Sequence, residues 1–460
     1  MRRFGCVGVL LVVVLGAAAC SSGKKVGDGG LTTSSKAATA TTSDVCKTTT
    51  LTASEVGVSP TTITVSVIAD TGSSLRPGLF QGSVDGVKAW ADYLNANGGL
   101  ACRQVKVNAL DSKLSGDDAK NSITTACGNS LALVGTTALF LDDMTPAEQC
   151  KDKAGAPTGM LDMAVLQTYA QQQCSPVSYA ALPSGASCPY SGEGVRTFKI
   201  SAVTIDYYLK KYGKNALHGV YLIPKDLPST IAATTPQFAA DKQEGIKEDA
   251  EFGASAGDTQ SNYTPYVQAI KSNNSTYARN GLDYVSTVFL RKEAQVQGVN
   301  TVKVWDCSLQ CYDQRLISTG GSAVEDQWAW LSFLPFEDKG NNDELDAFLQ
   351  YNKKPDAFGA QAWVAGEAFA EAVKAVVAKS GPNGITRAAM LEAIKGVNDF
   401  DAGGFVAPTD IGDRKGSGCL IGMQVQDGKF VRVHPVEPGT FDCNVRILTI
   451  TMDPVKAYKG

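Results

Sequence analysis

Few side chains in this sequence form a pattern that is known to carry out catalysis. The 460 residues include two histidines, His218 and His434. No nucleophile elbow, Walker A loop or HExxH zinc helix occurs. A serine hydrolase would need one of the two histidines as its base, and no motif supplies a nucleophile beside either. We therefore predict that the protein is not an enzyme and needs no cofactor, with an extracytoplasmic hydrolase as an alternative.

Polar side chains instead collect where predicted strands end. Open parallel sheets bind ligands beyond the carboxyl ends of their strands. Hydroxyl groups, one cation and one carboxylate at such ends suit a small zwitterionic solute. The candidates are the loop 71–80, Thr136, Thr137, Met163, Arg291 and Asp306.

The hydrophobic pattern predicts the elements that position these residues. Predicted strands cover residues 62–69, 104–111, 131–135, 219–224, 284–290 and 302–306. One predicted helix ends at Gly98. The others cover residues 116–127, 145–153, 195–212, 345–351, 362–378 and 386–395. This alternation is typical of parallel sheets, so we predict an α/β fold with two doubly wound lobes. A hairpin about Asp427-Gly428 is predicted near the end of the chain.

The N-terminus has the three parts of a secretory signal peptide. Arg2 and Arg3 precede an apolar run, small residues follow, and Cys20 comes next. The pattern resembles a lipoprotein signal over residues 1–19, with a lipid on Cys20 that anchors the protein to the outer face of a cell membrane, although Ala17 stands where leucine is preferred. The alternatives are ordinary cleavage beside a chance cysteine and a permanent span, for which the run is short.

Composition after Cys20 indicates a flexible tether. Residues 20–58 are rich in Ser and Thr and poor in large apolar side chains, so they cannot bury enough surface to fold alone. Cleavage of the predicted signal peptide removes Arg2 and Arg3 and changes the formal net charge from -4 to -6. This negative charge argues against a nucleic-acid partner. We expect a monomer held at the membrane by its lipid.

Ten cysteines remain after the signal peptide and Cys20 are set aside. An even number outside the cytosol predicts five disulfides, and zinc is the alternative use, with only two histidines available to share it. Short loops favour four pairs, and elimination leaves the fifth. The predicted pairs are Cys307 with Cys311, Cys174 with Cys188, Cys102 with Cys127, Cys419 with Cys443, and Cys46 with Cys150.

Several local runs resemble the leucine/isoleucine/valine-binding family, the type I periplasmic solute-binding proteins of ABC importers. They are ITVSVIADTG, GSVDGVKAWADYLNANGGL, LALVGTT, KPDAFGAQAWVAGEAFAEAVKAV and QVQDGKFVRVHP. The resemblance starts near Ser59 and runs to the C-terminus. It implies lobe I from residues 59–183 with 337–403, lobe II from 184–336 with 404–460, and a three-strand hinge near Pro183, Pro335 and Gly403.

The resemblance also implies roles for the candidate residues. Thr136 and Thr137 would hold a ligand carboxylate, or else cap a helix or bond a loop. Asp306 would hold a ligand ammonium, or else be a loop acid beside a disulfide. Phe358 would pack on the ligand side chain, or else belong to the core, while Leu79 and Phe80 would form a second wall.

Arg291 departs from the apolar or aromatic residue often found at its place in that family. A cation there would favour an acidic ligand unless it faces solvent. The expected function is capture of an amino acid or similar small carboxylate for a membrane-bound ABC permease. A sensor or adaptor of the same fold is the alternative.

Overall fold

Two sheets form the framework of the structure, a computed structural model that describes residues 46–188 and 194–459. The strands are β1 (Thr62–Ala69), β2 (Gln104–Asp111), β3 (Ala132–Thr136), β4 (Asp162–Ala164), β5 (Ser178–Ala180), β6 (Arg196–Ser201), β7 (His218–Pro224), β8 (Lys247–Ala254), β9 (Tyr277–Asn280), β10 (Val304–Cys307), β11 (Gln327–Leu331), β12 (Ile421–Gln426), β13 (Lys429–His434) and β14 (Ile447–Met452). The helices are α1 (Gln81–Ala96), α2 (Gly116–Asn129), α3 (Thr145–Glu148), α4 (Ala170–Cys174), α5 (Val203–Tyr212), α6 (Pro228–Glu244), α7 (Thr264–Ser272), α8 (Tyr284–Val296), α9 (Gln314–Gly320), α10 (Asp343–Tyr351), α11 (Ala357–Ser380), α12 (Arg387–Ile394) and α13 (Pro454–Ala457).

The first sheet has the order β2-β1-β3-β4-β5, and all its neighbours are parallel. The second has the order β13-β12-β11-β10-β9-β7-β8, in which the pairs β11–β12 and β12–β13 are antiparallel and the other pairs are parallel. Strands β6 and β14 form a separate antiparallel pair. The parallel part of both sheets follows one pattern, 2-1-3-4-5, whose order reverses beside its first strand. The predicted α/β class with two doubly wound sheets is confirmed.

Both faces of each parallel sheet are covered, as parallel strands require. In β1, Val65 and Val67 pack in the cluster that includes α1 and α11, whereas Ile68 packs with α2 on the other face. In β7, Tyr221 joins the side chains of α5 and α6, and Leu222 joins those of α7 and α8. The near-continuous apolar runs in these strands follow from this double burial.

The chain passes between the two sheets three times. It leaves the first sheet after β5, returns to it with α10, α11 and α12 after β11, and joins the second again at β12. Phe333 and Val406 form an antiparallel backbone bridge where two of these crossings run side by side. We refer to each sheet with its helices as lobe I and lobe II. The exact lobe boundaries and the hinge positions near Pro183, Pro335 and Gly403 stay predictions.

The predicted tether ends earlier than residue 58. The backbone N of Thr52 donates to Asn383 Oδ1 at 3.0 Å, and Ser54 Oγ donates to the Ile385 carbonyl at 2.7 Å. Val58 is buried in lobe I. Residues 50–58 are therefore part of the folded unit, because their polar groups find partners there. The signal peptide, Cys20 and most of the tether lie outside the described residues.

No helix within residues 46–188 and 194–459 combines the length and apolar character needed to cross a bilayer.

Three predicted disulfides are confirmed: Cys174–Cys188, Cys307–Cys311 and Cys419–Cys443. The structure pairs Cys127 with Cys150, so the predicted pairs Cys102 with Cys127 and Cys46 with Cys150 are wrong. Cys46 and Cys102 are also disulfide-bonded. The loops from Cys127 to Cys102 and to Cys150 are nearly equal in length, so loop closure cannot distinguish these two pairings. The packing of α2 beside α3 decides between them.

Three element predictions are also wrong in type or length. Residues 284–290, read as a strand because they are β-branched and aromatic, begin helix α8. Asp283 starts this helix, since its side chain accepts from the backbone N of Ser286 at 2.8 Å. The predicted helix over residues 195–212 is strand β6 followed by α5, and the predicted helix over 145–153 ends at Glu148.

Helices α1 and α11 pack closely through glycines. A Cβ atom on Gly86 would lie 2.2 Å from the Gly359 carbonyl oxygen, so only glycine fits there. This contact holds Phe80, just before α1, against Phe358 in the first turn of α11, with ring centroids 4.7 Å apart. The helix pair therefore builds an aromatic corner at the end of lobe I.

The same helix pair contains a carboxyl group whose titration should affect stability. Trp90 Nε1 donates to Glu367 Oε1 at 3.0 Å, and burial, with Glu344 nearby, raises the pKa of Glu367 to about 8. The unfolded chain loses this proton near pH 4.5 and the folded protein keeps it to a higher pH. The contribution of Glu367 therefore lowers the free energy of unfolding as the pH rises between these values.

We predict that Glu367→Gln, which keeps an acceptor for Trp90, stabilises the protein at pH 8 by about 1 kcal/mol or more and has little effect at pH 4.5. Thermal unfolding followed by circular dichroism at pH 4.5, 6.5 and 8 measures this difference. Glu437→Gln, at an exposed position, is the matched control. An equal effect of Glu367→Gln at all three pH values would contradict the prediction.

Candidate functional site

A cleft of about 400 Å³ lies between the two lobes, at the carboxyl ends of the parallel strands. Lobe I contributes the loops after β1, β2, β3 and β4 together with the start of α11. Lobe II contributes the loops after β7, β8, β9 and β10. These are the strand ends at which sheets of this topology bind ligands. The lining is mainly apolar and includes Leu79, Phe80, Leu139, Phe140, Leu282 and Phe358.

A buried carboxylate positions three loops of lobe I. Asp70 follows β1 directly, and its Oδ1 accepts from Ser112 Oγ at 2.7 Å and from the backbone N of Leu114 at 2.8 Å. Its Oδ2 accepts from the backbone N of Leu139 at 2.8 Å. Leu114 and Leu139 both line the cleft. Burial raises the pKa of Asp70, opposed by these hydrogen bonds. The sequence signal was an aspartate immediately after a buried strand.

The lobe II wall includes a turn that is closed by a disulfide. Cys307 ends β10 and bonds to Cys311, and the residues between them form a 3-10 turn that faces the cleft. The backbone N of Cys311 donates to the Ser308 carbonyl at 3.1 Å. Leu309 and Gln310 line the cleft beside Ser308. The disulfide and the backbone hydrogen bond limit how far this part of the cleft wall can move.

One ion pair joins the lobes across the cleft. Arg76, in the loop after β1, donates from Nε to Asp283 Oδ2 at 2.7 Å and from Nη2 to Ser286 Oγ at 3.1 Å. Asp283 also caps α8 through Oδ1. Charge-assisted bonds of this kind are stronger than neutral ones, and partial burial limits their screening. The lobes are therefore in a closed arrangement in which Arg76 contacts the start of a lobe II helix.

Both cations that line the cleft are paired with carboxylates. The lining holds Asp226, Asp283, Asp313, Asp356, Arg76 and Arg315. Arg315 pairs with Asp313 at 2.6 Å and lies over the Tyr284 ring, so both guanidinium groups have carboxylate partners. Burial raises the pKa of Asp356 to about 6. Within the described lining, no cation is left unpaired for a ligand carboxylate, and carboxylates outnumber cations by two.

The predicted binding residues fall into two groups. Leu79, Phe80 and Phe358 line the cleft, and their contact with a ligand stays a prediction. Thr136, Thr137 and Met163 are fully buried inside lobe I. The hydroxyl of Thr137 lies 2.7 Å from Ser83 Oγ and from the Gly135 carbonyl, so it stabilises the loop instead of facing the cleft.

Asp306 lies inside lobe II and does not line the cleft. Tyr208 Oη donates to its Oδ1 at 2.8 Å, and Arg279 Nε lies 3.1 Å from its Oδ2. Arg279 also binds both oxygens of Asp241. Burial raises the pKa of Asp306 to about 6, with Arg279 opposing this. The predicted ammonium-binding role is not supported, because the side chain points into the sheet core instead of beyond the strand end.

Arg291 also points away from the cleft. It lies in the middle of α8, where Nη2 donates to the Glu325 carbonyl at 2.7 Å and the guanidinium lies 4.3 Å from the Trp305 ring centroid. Burial lowers the pKa of Arg291 to about 9. The expectation that this cation selects an acidic ligand depended on the predicted strand 284–290, which is a helix.

Neither histidine lies at the cleft. His218 Nδ1 is 2.8 Å from Asp249 Oδ2, and His434 Nε2 is 2.6 Å from Asp442 Oδ2. Neither residue is among those that line the cleft. Within residues 46–188 and 194–459, no cluster of three or more His, Cys, Asp or Glu side chains suits a metal ion.

Comparisons with known proteins agree with this geometry. A family model described as periplasmic binding protein matches residues 151–429. Three solved structures illustrate the shared fold. A fatty acid ABC transporter substrate-binding protein from Thermomonospora curvata has a TM-score of 0.65 at 16% identity, covering 88% of this chain and 96% of that one. A leucine-binding protein from Thermotoga maritima has a TM-score of 0.62 at 16% identity, covering 81% and 97%. A branched-chain amino acid transporter substrate-binding protein from Streptococcus pneumoniae, in complex with isoleucine, has a TM-score of 0.59 at 14% identity, covering 81% and 100%. No curated protein matches the chain.

We predict that Asp306→Ala lowers the free energy of unfolding by about 3–5 kcal/mol, because Arg279 and two tyrosines lose a buried partner. Urea denaturation measures the change. Asp306→Asn keeps the shape and part of the hydrogen bonding, so it should cost less. Wild-type stability in the alanine variant would contradict a structural role.

We also predict that Arg76→Met loosens the closed arrangement. Losing the bonds to Asp283 and Ser286 should increase backbone amide exchange in the loop after β1 and in the first turn of α8 by about 5-fold, equivalent to about 1 kcal/mol. Hydrogen exchange read by mass spectrometry measures this effect. Asp283→Asn keeps the helix cap and should give a similar increase in the loop after β1. Unchanged exchange in both variants would show that the pair does not hold the lobes together.

Proposed function

Because the chain belongs to the periplasmic binding protein family, we propose that it is the solute-binding component of an ABC importer and that its cleft captures an elongated, largely apolar solute. The family is one of solute-binding proteins and not of enzymes, as the sequence predicts. The observation that carries the proposed ligand class is the apolar lining of a cleft whose cations are both paired with carboxylates.

An α-amino acid fits this cleft poorly. It presents a carboxylate and an ammonium together. The surplus carboxylates of the lining suit the ammonium, but removing the ligand carboxylate from water without a cationic or hydrogen-bonding partner costs several kcal/mol. Thr136, Thr137 and Asp306, the residues expected to supply those partners, lie inside the lobes. A branched-chain amino acid is therefore a weaker candidate than the sequence resemblance implied.

An apolar chain gains from the same lining. Each methylene group that leaves water contributes about 0.8 kcal/mol, so a chain of ten carbons supplies several kcal/mol without any charged contact. A volume of about 400 Å³ is within the usual range for small-molecule sites. The Thermomonospora curvata structure with the same fold is described as a fatty acid ABC transporter substrate-binding protein, which supports a long apolar chain as the body of the ligand.

Closure of the lobes allows a permease to distinguish the ligand-bound protein from the empty one. A solute that contacts Leu166 of lobe I and Leu227 of lobe II, both in the lining, favours the closed state over the open one by the difference between its affinities for the two states. A permease that recognises the closed form then receives the loaded protein preferentially. The Arg76 bridge adds to the stability of that form.

The remaining sequence predictions belong to this proposal. A lipid on Cys20 keeps the monomeric receptor at the outer face of the membrane, near its permease, and the Ser- and Thr-rich segment that follows serves as the tether. We propose residues 59–183 with 337–403 and residues 184–336 with 404–460 as the two lobes that move.

We predict that 1-decanol or another ten-carbon amphiphile displaces the apolar fluorophore N-phenyl-1-naphthylamine from the purified protein, whereas leucine and isoleucine do not at equal concentration. The physical reason is the apolar lining combined with paired charges. Fluorescence titration measures the displacement. Micromolar displacement by isoleucine, with none by the ten-carbon compounds, would contradict the proposed ligand class.

Substitutions in each lobe test whether the ligand contacts both. Leu166→Asp and Leu227→Asp should each weaken binding of the ten-carbon compound by about 10-fold or more, because each places a charge in the apolar lining. Val296→Asp is the control, since Val296 is 75% exposed at the end of α8 and outside the cleft. If only one of the two leucine variants loses affinity, the solute contacts one lobe and cannot drive closure.

A further inference from the structure

Three side-chain oxygen atoms of residues that line the cleft have no hydrogen-bond partner. They are Ser308 Oγ, Gln310 Oε1 and Thr168 Oγ1, each buried from solvent within the described part of the chain. Leaving a buried polar atom unpaired costs about 1–3 kcal/mol. Asp226, another polar residue of the lining, in contrast accepts from the backbone N of Ala256. Because each oxygen is shielded from solvent, a ligand in the cleft reaches it once the side chain turns toward the cleft, and these three residues are where a ligand can supply the missing hydrogen bonds.

Two of these atoms belong to the turn between Cys307 and Cys311. Ser308 and Gln310 lie on either side of Leu309, and the disulfide closes the turn at both ends. A wall that cannot easily move is suited to selecting a polar group by its geometry. Leu309, between the two polar residues, also lines the cleft, so the turn offers apolar and polar contacts together.

The charges of the lining, more than the turn itself, disfavour an anion. Ser308 Oγ can donate to or accept from a ligand, whereas Gln310 Oε1 only accepts hydrogen bonds and so needs a donor, which a carboxylate does not offer. The cleft lining also has two more carboxylates than guanidinium groups, so a ligand anion would meet repulsion in a site of low dielectric. A hydroxyl, amide or ammonium group supplies donors and avoids that repulsion.

We infer that the ligand is an amphiphile with a long apolar body and a polar end that donates hydrogen bonds and bears no negative charge, and that this end lies against Ser308 and Gln310. The inference rests on the proposed function and narrows its ligand class. A ligand of this class distinguishes the cleft from a site that binds free carboxylates. The apolar body lies along the leucine and phenylalanine side chains of both lobes.

Four ten-carbon probes that differ only in the polar end test the inference: 1-decanol, decanamide, decylammonium and decanoate. Their displacement of N-phenyl-1-naphthylamine from the purified full chain is measured at pH 7.5. The three probes without negative charge should bind about 10-fold more tightly than decanoate. Decanoate binding as tightly as 1-decanol overturns the inference and leaves the proposed function standing. Failure of all four probes to bind overturns the proposed function itself.

Variants of the turn locate the polar end. Ser308→Ala combined with Gln310→Leu should reduce the preference for decanamide over decanoate to about 2-fold, chiefly by weakening decanamide binding. Gln310→Glu, which matches the side chain in size, should strengthen decylammonium relative to 1-decanol by about 5-fold or more. Gln295→Leu, at an exposed position on α8, is the control and should leave every ratio unchanged. An unchanged preference in the double variant overturns the assignment to this turn.

Discussion

Parallel pairing of strands is the constraint on which the rest of this structure depends. Strands that run in one direction end at one edge of their sheet, so the loops that follow them converge. Here two sheets of the same 2-1-3-4-5 order place such edges opposite each other, with the cleft between them. The position of the cleft follows from strand direction, and the loops decide what it can bind.

Two buried aspartates near strand ends, one in each lobe, show how similar residues have different roles. Asp70 accepts hydrogen bonds from three loop groups of lobe I and so sets the shape of the cleft without facing it. Asp306 is paired with Arg279 inside lobe II. Burial raises the pKa of both, and in both the cost is offset by hydrogen bonds or a guanidinium. Neither carboxylate is free to hold a ligand.

The free-energy cost of desolvation distinguishes apolar from charged ligands in this cleft. In a cleft where Arg76 and Arg315 already have carboxylate partners, an anionic group loses water and gains no cation. Apolar surface gains from the same loss of water. The chain thus combines the fold of a family known for solute binding with a lining whose chemistry differs from that expected for a zwitterion, and fold alone does not settle the ligand.

The sequence by itself determined the α/β class, the strands β1, β2, β7 and β10, the hairpin β12–β13, three disulfides and the resemblance to a family. These features could be predicted because hydrophobic periodicity, turn residues and short loops are local signals. Tertiary structure decided the pairing of Cys127, the helical state of residues 284–290 and the direction of each candidate side chain. Phe358 faces the cleft while Asp306 and Arg291 face the interior of lobe II. The reason is that a strand end or loop can be located from sequence, but the side that each residue presents depends on register, helix rotation and partners far away in the chain.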